Sequence, residues 1–100
     1  MDSENQGALI EEARAEDRQA VVDLFIEDLT DLRMDTDAEA LGVVFDSIIS
    51  DPRAMLLVAR DAEGGPAVGV LVASRTLSVK FAGRALWIEE LYVGHSHRRM

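Results

Sequence analysis

The stretch Ile88-Glu89-Glu90-Leu91-Tyr92-Val93 determines how this chain is interpreted, and Arg98-Arg99-Met100 follows it a few residues later. Branched and aromatic residues predict a strand here. Successive side chains of a strand point to opposite faces, so only one of Glu89 and Glu90 normally faces a given site, unless a bulge changes the alternation. The segment therefore predicts a strand that carries a carboxylate near its carboxyl end.

Two further strands are predicted directly before this one. The middle strand is apolar on both faces at its start, which predicts a central strand covered on both sides. Consecutive strands with short connections form an antiparallel meander. The predicted strands are Met55–Arg60, Ala67–Leu77 and Ala85–Val93, with turns at Asp61–Pro66 and Val79–Arg84.

Two helices are predicted between a short first strand, at Ala8–Ala13, and the meander. Thr36 and Glu39 have the spacing of a capping box at the start of the second helix, and Asp51-Pro52 ends it. Residues 1–7 are expected to be a flexible, solvated tail, and residues 1–100 to form a single domain. The apolar positions with helical spacing are Val21, Leu24, Phe25, Leu29 and Leu32, then Leu41, Val44, Phe45, Ile48 and Ile49.

Composition narrows the function classes. The 100 residues have a net charge of -9, which argues against nucleic-acid binding and favours a cationic partner. The apolar run around Ala67–Ala73 is too short to cross a membrane, and the acidic N-terminus does not resemble a targeting segment. Without cysteine, and with only His95 and His97 as imidazole ligands, we expect no metal site and a cytoplasmic location.

The order strand, helix, helix and meander, ending in Ile88–Val93 and followed by Arg98-Arg99, resembles the GCN5-related N-acetyltransferase (GNAT) superfamily. The resemblance covers essentially the whole chain from Leu9 onward. It implies an α+β fold with a mixed sheet. In that family a loop of pattern Arg/Gln-x-x-Gly-x-Gly/Ala follows the strand and binds the pyrophosphate of acetyl-CoA. Because the glycines would come after Met100, we expect an incomplete domain whose C-terminal part is missing.

The resemblance also implies where acetyl-CoA binds. The pantetheine arm would lie along the end of the last strand, with backbone hydrogen bonds from Leu91, Tyr92 and Val93, as in an added strand. Arg98, Arg99 and Met100 would supply the first positions of the phosphate loop. Such a loop offers backbone N–H groups to phosphate oxygens where a helix begins.

Glu89 and Glu90 are the candidate catalytic residues. An amine attacks a thioester only when neutral, yet a lysine-like amine titrates near ~10.4, so a carboxylate base would help. By resemblance, Glu89 matches the position where several family members place this base. Ordinary solvated residues at a strand end are the alternative interpretation for both.

Acidic residues at the end of the first helix are the candidate substrate-binding groups. By resemblance this region borders the acceptor pocket, so Asp28, Asp31, Asp35 and Asp37 could attract a cationic amine. A solvated helix face is the alternative interpretation.

The predicted function is transfer of an acetyl group from acetyl-CoA to a primary amine, by direct attack in a ternary complex. The sequence has no cysteine and no obvious activated serine, so we expect no covalent enzyme intermediate. The alternative is a non-catalytic acyl-CoA-binding or protein-interaction module of the same fold. Residues 1–100 alone are expected to be inactive, and to form a homodimer because apolar faces of the sheet lack cover.

Overall fold

The computed structural model describes residues 9–97, which form one four-stranded sheet and two helices. The strands lie in the order β1-β2-β3-β4, and each neighbouring pair is antiparallel. The predictions for residues 1–7 and for Arg98, Arg99 and Met100 lie outside the described residues. The elements are β1 (Leu9–Glu12), α1 (Arg18–Asp31), α2 (Ala38–Ser50), β2 (Ala54–Arg60), β3 (Ala67–Ser78) and β4 (Gly83–Val93).

The predicted α+β class, element order and meander are confirmed. Every strand pair among residues 9–97 is antiparallel, so the parallel pairing that a mixed sheet requires is not found in this part of the chain. Within the same range, neither helix is long and apolar enough to span a membrane.

Both helices pack on one face of the sheet, which we call the helix-covered face. Val21 of α1 and Phe45 of α2 are fully buried there, against Val58 of β2. Opposed residues of neighbouring strands share a face, so Val70 and Tyr92, which pair in register, join the same core. Of the apolar helix positions predicted from the sequence, Phe45 is buried as expected, whereas Val44 and Ile49 are 46% and 40% exposed, because they lie toward the edges of the face that α2 packs on the sheet.

The other side of the sheet, which we call the open face, carries no helix within residues 9–97. Ile10, Ile88 and Leu91 are 63%, 56% and 66% exposed. The prediction that the middle strand is covered on both sides is therefore met on one side only in the described chain. Leu71 of β3, opposite Leu91, is only partly buried.

The N-terminus of α2 is capped by Asp37, not by Thr36. One carboxylate oxygen of Asp37 accepts the backbone N–H groups of Glu39 and Ala40, at 3.0 and 3.2 Å. The predicted capping box at Thr36 and Glu39 was wrong by one residue. Asp, which also ranks among the best cap residues, occupies the position where the backbone is still extended.

Helix α1 ends one residue before Leu32, which was predicted to lie on its buried face. Arg33 takes a left-handed conformation with φ of 60°, and Met34 N–H donates to the carbonyl of Leu29 at 2.9 Å. Such a residue ends a helix and redirects the chain. Leu32 is consequently 61% exposed, and its predicted burial was wrong.

A buried ion pair joins the start of α1 to the end of β2. The Arg60 guanidinium donates to both carboxylate oxygens of Asp17, at 2.7 and 2.8 Å, and to the carbonyl of Gly65 at 3.0 Å. Asp17 also accepts the backbone N–H of Arg14 at 2.8 Å. The hydrogen bonds from Arg60 hold the pKa of Asp17 below its usual value. This pair fixes the first turn of α1 against the sheet.

Candidate functional site

A bulge in β4 separates the two predicted catalytic residues. Val72 of β3 pairs with Glu90, but the next residue, Ala73, pairs with Ile88, so Glu89 is an extra residue in the ladder. A bulge of this kind changes the face to which the following side chains point. Glu90 shares the helix-covered face with Val72 and is partly buried, whereas Glu89 is exposed at the bulge.

Glu90 lines a cleft of about 220 Å³ between the two helices and the sheet. Asp28 of α1, also partly buried, lines the same cleft. The structure thus brings together one predicted catalytic residue and one predicted substrate-binding residue. The other lining residues are apolar, namely Phe25, Leu29, Leu41, Val44, Ile48 and Val72. Carboxylates in an apolar cleft attract a cation, because an amine there regains the charge partners that it loses with water.

Tyr92, Glu27, Asp31 and His95 form a hydrogen-bonded group beside the cleft, which we call the Tyr92 cluster. The Tyr92 hydroxyl lies 3.0 Å from Glu27 Oε1 and 2.8 Å from Asp31 Oδ2. His95 donates its backbone N–H to Glu27 Oε1 at 2.8 Å, and its ring Nε2 lies 2.8 Å from Asp31 Oδ2. Burial and these carboxylates raise the pKa of the Tyr92 phenol above its usual range.

The Tyr92 cluster attaches the chain that leaves β4 to helix α1. His97, in the same turn, contacts Asp61 of the β2–β3 connection, with 2.9 Å between Nε2 and Oδ2. The residues just before Arg98 are therefore held from two sides. Among residues 9–97, no three His, Asp or Glu side chains are arranged to hold a metal ion.

The remaining predicted substrate-binding residues lie elsewhere. Asp31 contacts Tyr92 and His95 and does not line the cleft. Asp35 is exposed in the connection between the helices, outside the cleft lining. Sequence interpretation missed Glu27, although its spacing of four residues from Asp31 placed both on one face of α1.

The predicted acetyl-CoA segment, Leu91 to Val93, lies on an edge strand. β4 is the last strand of the sheet, and no further strand within residues 9–97 pairs with its outer edge. Gly94 follows directly. A Cβ at Gly94 would lie 3.2 Å from Leu24 Cδ2 and 3.4 Å from the carbonyl of Val68, so glycine lets the chain pass close to α1.

Among known proteins, solved structures with a similar fold were found. The sequence matches no protein-family model and no curated protein sequence. A possible acetyltransferase from Clostridium difficile 630 is similar with a TM-score of 0.79 and 21% identity, covering 93% of this chain and 61% of that one. A GNAT family acetyltransferase from Staphylococcus aureus has a TM-score of 0.72 and 12% identity, covering 93% and 67%.

A third structure is a ribosomal-protein-alanine N-acetyltransferase from Brucella melitensis biovar Abortus 2308. Its TM-score is 0.70 at 21% identity, and the match covers 92% of this chain and 60% of that one. At these identities the likeness shows a shared fold. The chain spans roughly three fifths to two thirds of the length of these structures.

Proposed function

Because the chain has the fold of the GNAT-family acetyltransferases, we propose that it transfers an acetyl group from acetyl-CoA to a primary amine. The observation that carries this proposal is the position of Glu90. It lines an apolar cleft together with Asp28, on the edge strand of the sheet that residues 9–97 form. The amine would occupy the cleft, and acetyl-CoA would lie along β4.

Glu90 is the proposed base. At pH 7 a lysine-like amine is protonated, and holding it neutral costs about 4 to 5 kcal/mol, so a carboxylate that accepts the proton lowers the barrier. Glu90 lines the cleft, so its carboxylate would lie next to an amine bound there. Glu89 is exposed at the bulge and stays the second candidate.

The reaction proposed is a single displacement in a ternary complex. Glu90 takes a proton from the ammonium group, and the amine nitrogen then bonds to the thioester carbonyl carbon. The C–S bond breaks and coenzyme A leaves as a thiolate. The nitrogen then loses its second proton, which protonates the thiolate, and Glu90 releases the first proton to solvent.

Acetyl-CoA itself is proposed to bind through the backbone of Leu91, Tyr92 and Val93, by addition along the edge of β4. The Tyr92 cluster supports this arrangement because it fixes the chain just beyond the strand. Arg98, Arg99 and Met100 stay predictions for the pyrophosphate site.

The test measures free coenzyme A thiol and acetylated amine together, in a chain extended to the length of the matched structures and in residues 1–100. We expect equal amounts of both products from the longer chain, and weak acetyl-CoA binding without transfer from residues 1–100. Tight acetyl-CoA binding with no acetylated amine would identify a binding module instead of an enzyme.

A further inference from the structure

The size of the cleft restricts what can occupy it. An apolar cavity of about 150 Å³ holds a benzene molecule. The cleft of about 220 Å³ therefore has room for an aromatic ring or a branched alkyl group with a short carbon chain. Phe25 and Val72 are 7% and 8% exposed and form its floor, while Val44, 46% exposed, lies at its mouth.

The chemistry of the lining restricts the occupant further. Six of the eight lining residues are apolar, and Asp28 and Glu90 are the two that carry a charge. The further ammonium or hydroxyl groups of a polyamine or an aminoglycoside would lose water without gaining partners against the apolar lining, or stay outside the cleft and bury no apolar surface. An apolar body, in contrast, gains free energy for every CH₂ group that it buries there.

The two carboxylates favour one cation. Asp28 and Glu90 line a single small cleft, so one ammonium group bound there lies near both carboxylates. A second positive charge in the same ligand would find no further carboxylate in the lining that the described residues form.

We propose that the acceptor is a small free monoamine with an apolar carbon body, of the arylalkylamine or branched alkylamine class. Its ammonium group contacts Asp28 and Glu90, and its apolar body lies over Phe25 and Val72. This inference rests on the proposed function, because it assigns the acceptor to the same cleft.

The test is a titration of residues 1–100, followed by NMR, with 2-phenylethylamine as the probe. Two matched compounds separate the contributions: 2-phenylethanol keeps the ring without the charge, and 1,4-diaminobutane keeps charge without the ring. We expect 2-phenylethylamine to bind about tenfold more tightly than either, with shifts at Phe25, Val72 and Glu90. Equal or tighter binding of 1,4-diaminobutane overturns the proposal.

Variants locate the binding. Asp28→Asn is expected to weaken 2-phenylethylamine binding about tenfold or more, because a charged hydrogen bond is lost, and to leave 2-phenylethanol unchanged. Val44→Ser is expected to weaken both ligands about threefold to tenfold. Val43→Ser is the matched control, since Val43 is 59% exposed on the same helix outside the cleft. Equal effects of Val43→Ser and Val44→Ser would contradict the assignment.

Two outcomes separate this inference from the proposed function. If 2-phenylethylamine binds as expected but the longer chain never acetylates it, the inference about the ligand stands and the function fails. If the longer chain acetylates 1,4-diaminobutane at least as well, the function stands and the inference fails. A Phe-Gly-Gly peptide that binds more tightly than 2-phenylethylamine would replace the free amine with a peptide N-terminus.

Discussion

Glu89 and Glu90 are neighbours in the sequence but lie in different surroundings, because one extra residue interrupts the β3–β4 ladder. The sequence predicted a carboxylate at this strand and identified both candidates. Which one faces the cleft depended on the bulge, which arises from pairing with β3 and has no mark in the local sequence. The structure places Glu90 in the cleft beside Asp28.

The first residue-scale prediction concerns the base. In the extended chain, Glu90→Gln is expected to lower acetyl transfer at neutral pH by about 10²-fold to 10⁴-fold, because the amine keeps its proton. The loss should shrink at alkaline pH, where the amine is already neutral. Glu89→Gln is the matched control and should stay near the wild-type rate. The reverse ranking in these pH–rate profiles would assign the base to Glu89.

The second residue-scale prediction concerns Glu27, which accepts the backbone N–H of His95. Glu27→Ala removes this acceptor and is expected to speed hydrogen exchange of the His95 amide about tenfold or more. Glu27→Gln keeps a side-chain oxygen and should largely preserve the protection. Amide exchange followed by NMR makes the comparison. An unchanged rate in Glu27→Ala would show that this contact does not hold the turn.

Part of the site could not be predicted from the sequence, because its contacts join residues that are far apart in the chain. Glu27 and His95 are 68 residues apart in the chain, and Tyr92 lies 65 residues from Glu27. Neither residue type nor local spacing indicates a partner at that distance. Asp31 was recognised as a candidate for its position on α1, but its partners, Tyr92 and His95, come from the other end of the chain.

At the scale of the elements, local patterns were sufficient to predict most of the fold. Apolar periodicity and turn residues predicted both helices and all four strands, because these signals act over a few residues. Helix ends were less predictable: Asp37 replaced Thr36 as the cap, and the left-handed turn at Arg33 left Leu32 exposed. The partner of Arg60 could not be predicted, since Asp17 lies in another element.

The element-scale prediction tests that ion pair. Asp17→Asn removes the closer carboxylate of the buried Arg60 and leaves only Glu11, with 3.5 Å between Arg60 Nε and Glu11 Oε1. We therefore expect a loss of about 3 kcal/mol in the free energy of unfolding, measured with urea. Asp46→Asn breaks the exposed pair of Arg18 and Asp46 and should cost far less, because solvent screens it. Similar losses in both variants would contradict a stabilising role of burial.

The ion pair of Asp17 and Arg60 also makes the stability of the fold depend on pH. The pKa of Asp17 is lowered in the folded state from an ordinary value of 3.8. The contribution of ionised Asp17 to the free energy of unfolding is therefore fully present above about pH 4. It is lost as the pH falls below that value through the lowered pKa. The stability difference between the wild type and Asp17→Asn should shrink over this acid range. If the stability difference between the two proteins stayed constant over this range, the ionisation of Asp17 would not be the source of the pH dependence.

At the scale of the whole molecule, no helix covers the open face and no further strand pairs with the outer edge of β4 within residues 9–97. Val93, 40% exposed, belongs with Ile10, Ile88 and Leu91 on this face. Contiguous apolar surface and open strand edges recruit partners. The sequence-based expectation of a homodimer rests on the same property.

The whole-molecule prediction is that residues 1–100 associate in solution. Light scattering after size-exclusion chromatography should give a mass above the 11.0 kDa of one chain. Leu91→Lys places a charge on the open face and should shift the mass toward the monomer. Asp23→Lys, on the exposed side of α1, is the control for added charge and should leave the mass unchanged. A monomer with cooperative unfolding would show that the open face needs no cover.

The most direct test of the central claim is an NMR titration of the chain with millimolar acetyl-CoA. We expect shifts in the amides from Glu90 to Val93, in the part of β4 assigned to acetyl-CoA. Strand β1 forms the opposite edge of the same sheet and provides the internal control, because its amides should not move. Shifts at β1 equal to those at β4, or none at β4, would contradict the assignment of acetyl-CoA to this strand.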